Sequence, residues 1–60
     1  MISEYDKHNI GAIIGENHGD WFTAQLLRLI AKADLHNRRQ LAKGFPEEVR
    51  LVNEWQGIEI

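Results

Sequence analysis

The longest regular pattern of hydrophobic and polar residues is DWFTAQLLRLIAKA, from Asp20 to Ala33. It contains neither glycine nor proline, and Asp20 suits a helix N-cap, so the pattern predicts a helix over residues 20–33. At 100° per residue, the polar side chains fall in one narrow sector: Gln25, Arg28 and Lys32. Apolar side chains spread over roughly 220° of the remainder, about twice the width that a surface helix needs. We therefore expect this helix to be covered on two sides, by the rest of the domain or by a second copy.

A second, shorter helix is predicted over residues 35–43. Asp34 precedes it and can cap its first turn. Gly44 follows it, at the position where a left-handed residue commonly ends a helix. Most side chains of this segment are polar, so we expect it to bury only a narrow stripe.

A third helix is predicted over residues 46–56. Pro46 is preorganised for a first helical turn, and the two glutamates after it suit the positive end of the helix dipole. Phe45 would act as a staple residue, and Gly57 stops the helix. The sequence thus predicts a mainly α fold, a small three-helix domain with residues 20–56 as its helical core.

Residues 1–19 are predicted to form an N-terminal arm, irregular or with a short strand. Within it the run Ile10–Gly15, IGAIIG, is apolar and rich in β-branched residues. One interpretation is a short strand that pairs with the C-terminal GIEI of residues 57–60. The other is an irregular arm that docks on the surplus apolar face of the long helix. The pattern does not choose between the two.

With 60 residues and no cysteine, the chain has room for one domain, 1–60, and no disulfide to stabilise it. We expect self-association to supply the missing stability. Its predicted surface is the wide apolar face of the long helix, represented by Phe22, Leu26, Leu27 and Ile30. No stretch has the pattern of a signal peptide or a membrane span, so we expect a cytoplasmic protein with no membrane partner.

Residue types that serve catalysis are sparse. The hydroxyl side chains are Ser3, Tyr5 and Thr23, and none has the context of an activated nucleophile. His18 and Asp20 stand two residues apart, but this spacing matches no standard metal site. We expect no enzymatic activity, no catalytic residue, no metal and no cofactor.

Two groups of residues are candidates for contact with a partner. The net charge is −2, but basic residues gather in the middle of the chain: Arg28, Lys32, Arg38, Arg39 and Lys43. A basic helix surface suits a nucleic-acid backbone, whereas the simpler interpretation is a solvated face, since no aromatic residue is interleaved for base stacking. Trp21 and Trp55 lie near helix ends, where an exposed tryptophan would be a binding hot spot.

Residues 20–55 resemble small proteins encoded by bacteriophages and prophages. The likeness is carried by WFT at the start of the long helix, LLRLIAKAD through its end, NRRQL in the second helix and FPEEV at the opening of the third. The resemblance implies an accessory protein made in an infected bacterium, of the kind that binds and blocks a host protein, defence systems included. It assigns no functional residue.

The leading hypothesis is a non-enzymatic protein-binding module that acts as a homo-oligomer and modulates or inhibits a host protein. The alternative from another class is a small nucleic-acid-binding regulator that uses the basic segment 28–43. A minor structural or virion component is the third hypothesis.

Overall fold

The computed structural model describes residues 2–58. Within that range the protein is mainly α, and its helices are α1 Glu4–His8, α2 Ile10–Gly15, α3 Phe22–Lys32, α4 Leu35–Gly44 and α5 Pro46–Gln56. The three predicted helices are confirmed as α3, α4 and α5. None of these helices is long and apolar enough to cross a membrane.

The core forms where α2 and α5 pack against α3, while α5 also packs against α4. Its buried residues are Ile10 and Ile13 of α2, Ala24, Leu26, Leu27 and Ile30 of α3, and Val49 and Val52 of α5. The wide apolar face of α3 is therefore covered on two sides by the same chain. Of the two possibilities that the sequence pattern allows, the rest of the domain or a second copy, the rest of the domain covers this face.

The N-terminal arm contains two helices, so the first of its two interpretations, a strand at Ile10–Gly15, is wrong. Ile10 and Ile13 stand about one helical turn apart and are both buried, whereas a strand would point them to opposite faces. The alternative position, on the surplus face of α3, is correct, although the arm is not irregular there. Of the predicted partner strand, residues 59 and 60 lie outside the described residues.

Helix α1 is held by a capping box and by a cluster of rings. Ser3 Oγ accepts a hydrogen bond from the Asp6 backbone N–H at 3.1 Å, and Asp6 Oδ2 accepts one from the Ser3 N–H at 3.2 Å. The other carboxylate oxygen of Asp6 accepts from Trp21 Nε1 at 3.0 Å. The Trp21 ring meets Tyr5 and His18 edge-on, with centroids 5.9 and 5.8 Å away. These contacts tie the arm to the start of α3.

Two predicted helix ends are confirmed. The Asp34 carboxylate accepts a hydrogen bond from the Asn37 N–H at 2.8 Å and so caps α4. Gly57 ends α5 in the left-handed region, with φ of 73°. Glycine adopts this conformation without the steric cost that a Cβ atom would add.

Three other predictions about helix ends are wrong. Asp20 is not the N-cap of α3, because Trp21 takes that position and the helix begins at Phe22. Gly44 is not left-handed and belongs to α4. Phe45 is at once the C-cap of α4 and the N-cap of α5, so it takes the cap position instead of the staple position before it. A single residue thus separates α4 from α5.

The turn before α3 depends on a glycine at position 19. Gly19 has φ of 90°, and a Cβ atom there would overlap the Trp21 ring. We expect Gly19→Ala to lower the free energy of unfolding by about 2 kcal/mol. Alanine is strained at this φ, and the Trp21 ring must move to make room for its Cβ atom. The control is Gly44→Ala, which meets no atom within 4 Å and is helical, so it should be neutral or slightly stabilising. Urea unfolding followed by circular dichroism compares the two variants, and equal midpoints would contradict this description of the turn.

Candidate interaction surface

Three of the four residues predicted for self-association lie in the core. Leu27 and Ile30 have no exposed surface, and Leu26 is 6% exposed. These side chains stabilise one copy of the chain and are not available to a second, so the predicted face is corrected. Phe22, the fourth, is 67% exposed.

The exposed side of α3 carries a different set of residues. Phe22, Gln25, Leu29 and Lys32 are spaced by three and four residues, so they share one side of the helix. Leu29 is 49% exposed and lies two turns after Phe22. We call these four residues the outer face of α3. It combines two large apolar side chains with two polar ones.

Phe22 is held in position by Phe45. Their ring centroids are 6.0 Å apart, with the ring planes inclined by 50°. Phe45 is itself half-buried and packs against the core. Because a side chain that is fixed before contact loses little entropy on binding, Phe22 has the properties of a preorganised anchor.

Leu29 borders two open depressions. One lies between α3 and α4 and is lined by Leu29, Lys32, Ala33, Asp34, Asn37, Gln40 and Leu41. The other extends along α3 toward Ile14 and Asn17, and Leu29 and Lys32 border it too. Leu29 therefore contributes apolar surface to both depressions.

Sequence reasoning counted Leu29 in the apolar arc of the long helix but did not select it as a contact residue. The signal that identifies it is its position next to the polar sector, seven residues after Phe22. A side chain in this position lies at the edge of the apolar arc of α3, beyond the part that neighbouring helices bury.

Arg38 is a core residue, so its prediction as a surface contact is wrong. It is 3% exposed. Its Nη1 donates to Asn53 Oδ1 at 2.7 Å and to Gln56 Oε1 at 2.8 Å. Its Nη2 donates to the carbonyl oxygens of Ala31 and Ala33, both at 3.2 Å. The guanidinium thereby joins the end of α3 and the last turns of α5 to α4.

Arg28 also serves the fold. Its Nη1 donates to the carbonyl oxygens of Ile13 at 2.9 Å and His18 at 2.8 Å, and its Nη2 donates to that of Gly19. These oxygens belong to the end of α2 and the loop before α3, where the regular hydrogen bonds of a helix stop. Arg28 is half-buried as a result.

The other three basic candidates, Lys32, Arg39 and Lys43, are exposed. Lys32 belongs to the outer face of α3, whereas Arg39 and Lys43 lie on α4. The structure thus divides the predicted basic group into two residues that bind backbone or amide oxygens and three that face solvent.

The two tryptophans differ in exposure. Trp21 is half-buried, and its indole N–H is satisfied by Asp6. Trp55 is 44% exposed and lies over α2, with its Nε1 3.8 Å from the position of a Cβ atom on Gly11. Both rings therefore cover the N-terminal helices, and only Trp55 keeps a large exposed surface.

Arg28→Ala should lower the free energy of unfolding by about 2 kcal/mol, since three carbonyl oxygens lose a charged donor. Lys32→Ala, one turn further on the same helix and exposed, is the matched control and should change it by less than about 0.5 kcal/mol. Thermal unfolding measures both. A loss for Lys32→Ala as large as that for Arg28→Ala would show that the loop does not depend on the guanidinium.

Residues 2–58 contain no group of three or more His, Cys, Asp or Glu side chains placed to hold a metal ion. No protein-family model, curated protein or solved structure matches the chain.

Proposed function

We propose that this protein is a small non-enzymatic protein-binding module whose contact surface is the outer face of α3. The observation that carries the proposal is the exposure of Phe22 and Leu29 two turns apart on one helix. Protein interfaces concentrate their binding free energy in a few such anchors with polar residues around them. Gln25 and Lys32 provide that polar surround.

The depression between α3 and α4 supports the same proposal. It is open, and polar side chains of Lys32, Asn37 and Gln40 border the apolar surface of Leu29 and Leu41. A groove of this composition fits an apolar side chain on a partner's helix. The partner's own polar residues would then meet the amides of Asn37 and Gln40.

The resemblance to phage-encoded proteins supplies the setting of the proposal. In that setting the module acts in the cytoplasm of an infected bacterium, where it binds a host protein and modulates or inhibits it. A defence protein belongs to this class of target.

Nucleic-acid binding has less support as a function. Arg38 is buried and Arg28 binds backbone carbonyls, so two of the five basic candidates are committed to the fold. Lys32, Arg39 and Lys43 remain, and they lie on two different helices. Phosphate binding depends on the number of cations that act together, so we retain this function only as an outcome of the test below.

The test is capture of tagged protein variants from a bacterial lysate, with and without nuclease. Wild type should retain a discrete protein that survives nuclease, and Leu29→Glu should reduce its amount at least about tenfold, because a charge replaces an apolar anchor. Arg39→Glu, exposed on α4, is the control and should retain it as wild type does. Circular dichroism verifies that both variants fold.

Two results would reject the proposal. Full retention of the same protein by Leu29→Glu would show that the outer face is not the contact surface. Retention that disappears with nuclease and with Arg39→Glu would replace the proposal by nucleic-acid binding.

A further inference from the structure

We propose that the outer face of α3 binds a second copy of the chain, with the two α3 helices antiparallel about a two-fold axis. The inference rests on the proposed function, since it names a partner for the same surface. Three observations carry it: the position of the two apolar anchors, the charges at the two ends of the face, and the exposure of all the residues involved.

The apolar anchors complement each other in an antiparallel pair. When Phe22 faces Leu29 of the second copy, the two-fold axis makes Leu29 face Phe22 of the second copy. Both exposed anchors of both copies are then covered at once. Gln25, between them in the sequence, lies near the axis, where its side chain meets the polar surround of the second copy.

The same register brings opposite charges together. Lys32 stands three residues after Leu29, and Asp20 stands two residues before Phe22. Antiparallel helices that match Leu29 with Phe22 therefore bring Lys32 to the start of the second α3, where Asp20 lies. Both side chains are exposed, and the axis repeats the pair twice. A parallel arrangement would instead set Lys32 beside Lys32 and Asp20 beside Asp20, which is repulsive.

The face is one helix wide, so the dimer is weak. Interfaces of this size lie at the low end of specific association, and we expect a dissociation constant of roughly 10–500 μM. A second copy and a host protein would compete for the same anchors.

Charge exchange tests the register directly. Sedimentation equilibrium of the full chain gives the dissociation constant for wild type and for the single variants Asp20→Lys and Lys32→Glu. Each variant should associate roughly tenfold more weakly than wild type, since it places two pairs of like charges in the interface. An equimolar mixture of the two variants should recover wild-type association, because each then supplies the charge that the other lacks. Arg39→Glu carries the same change of charge as Lys32→Glu and should leave association unchanged.

Concentration-dependent dimerisation with recovery in the mixture supports the proposal. A wild-type monomer up to about 1 mM, or a dimer that both charge variants leave unaffected, overturns it. The proposed function is tested separately. If a host protein is captured and Leu29→Glu abolishes its capture, the proposed function stands even when the chain forms no dimer. If Leu29→Glu alters neither self-association nor capture, both proposals fall.

Discussion

Arg38→Ala is expected to leave most of the protein unfolded at 25 °C, whereas Arg39→Ala leaves it folded. Removing a buried guanidinium takes the charged donor away from four neutral acceptors, and at about 1 kcal/mol for each bond lost the total is about 3–5 kcal/mol. A domain of this size has a total stability of about the same magnitude. Circular dichroism at 222 nm, with urea unfolding of whatever remains folded, measures the difference.

The physical reason lies in what Arg38 joins. Its two terminal nitrogens bind Asn53 and Gln56 of α5 and two carbonyl oxygens at the end of α3. Those carbonyls carry the negative end of the α3 dipole, which favours a cation beside them. Alanine would remove the charged donor from all four acceptors and leave the buried Asn53 amide oxygen and the Ala33 carbonyl without the bonds that Arg38 makes.

Arg39 is the matched control because it is the same residue type, one position along the same helix, and exposed. Arg38→Lys adds a second comparison. An ammonium group cannot reproduce the planar fork that serves four acceptors, so it should recover only part of the stability. If Arg38→Ala and Arg39→Ala unfolded at the same urea concentration, the structural role assigned to Arg38 would be wrong.

Leu27→Ala should lower the free energy of unfolding by about 3 kcal/mol, while Leu29→Ala lowers it by less than about 1 kcal/mol. Leu27 has no exposed surface and its truncation leaves a cavity in the core, whereas Leu29 is half-exposed. Chemical denaturation of the two variants compares identical substitutions two residues apart on one helix. Comparable losses at both positions would mean that α3 presents a different side to the core.

Local sequence signals were enough to predict the three longer helices. The period of hydrophobic residues in α3, the Asp34 cap and the left-handed Gly57 all act within a few residues of where they stand. Such signals predict helices correctly because they depend little on which other helices pack against them.

The N-terminal helices depended on contacts that a local pattern does not contain. Ile10–Gly15 is too short to be helical on its own, and its β-branched residues favour a strand in isolation. Its helix exists because Ile10 and Ile13 pack against α3. The capping box of Ser3 and Asp6 is a local sign of helix in this region.

The interaction surface was only partly predictable for a related reason. The width of the apolar arc on α3 indicates that other helices or a second copy cover it on two sides. It does not indicate which side chains of α3 are covered. Since α2 and α5 cover Leu26, Leu27 and Ile30, only the edge with Phe22 and Leu29 is left exposed. Arg38 was misassigned because a basic residue in a polar helix gives no sign that carbonyl oxygens of another helix will surround it.

The measurement that tests the central claim most directly is an NMR titration of the 15N-labelled protein with the host protein retained in the capture experiment. The outer face of α3 is expected to respond, with the backbone amide signals of Phe22, Gln25, Leu29 and Lys32 shifting or broadening. Signals of α5, such as those of Glu47 and Glu54, should stay in place. Changes confined to the surface around Tyr5 and Trp55, with the outer face unaffected, would contradict the account.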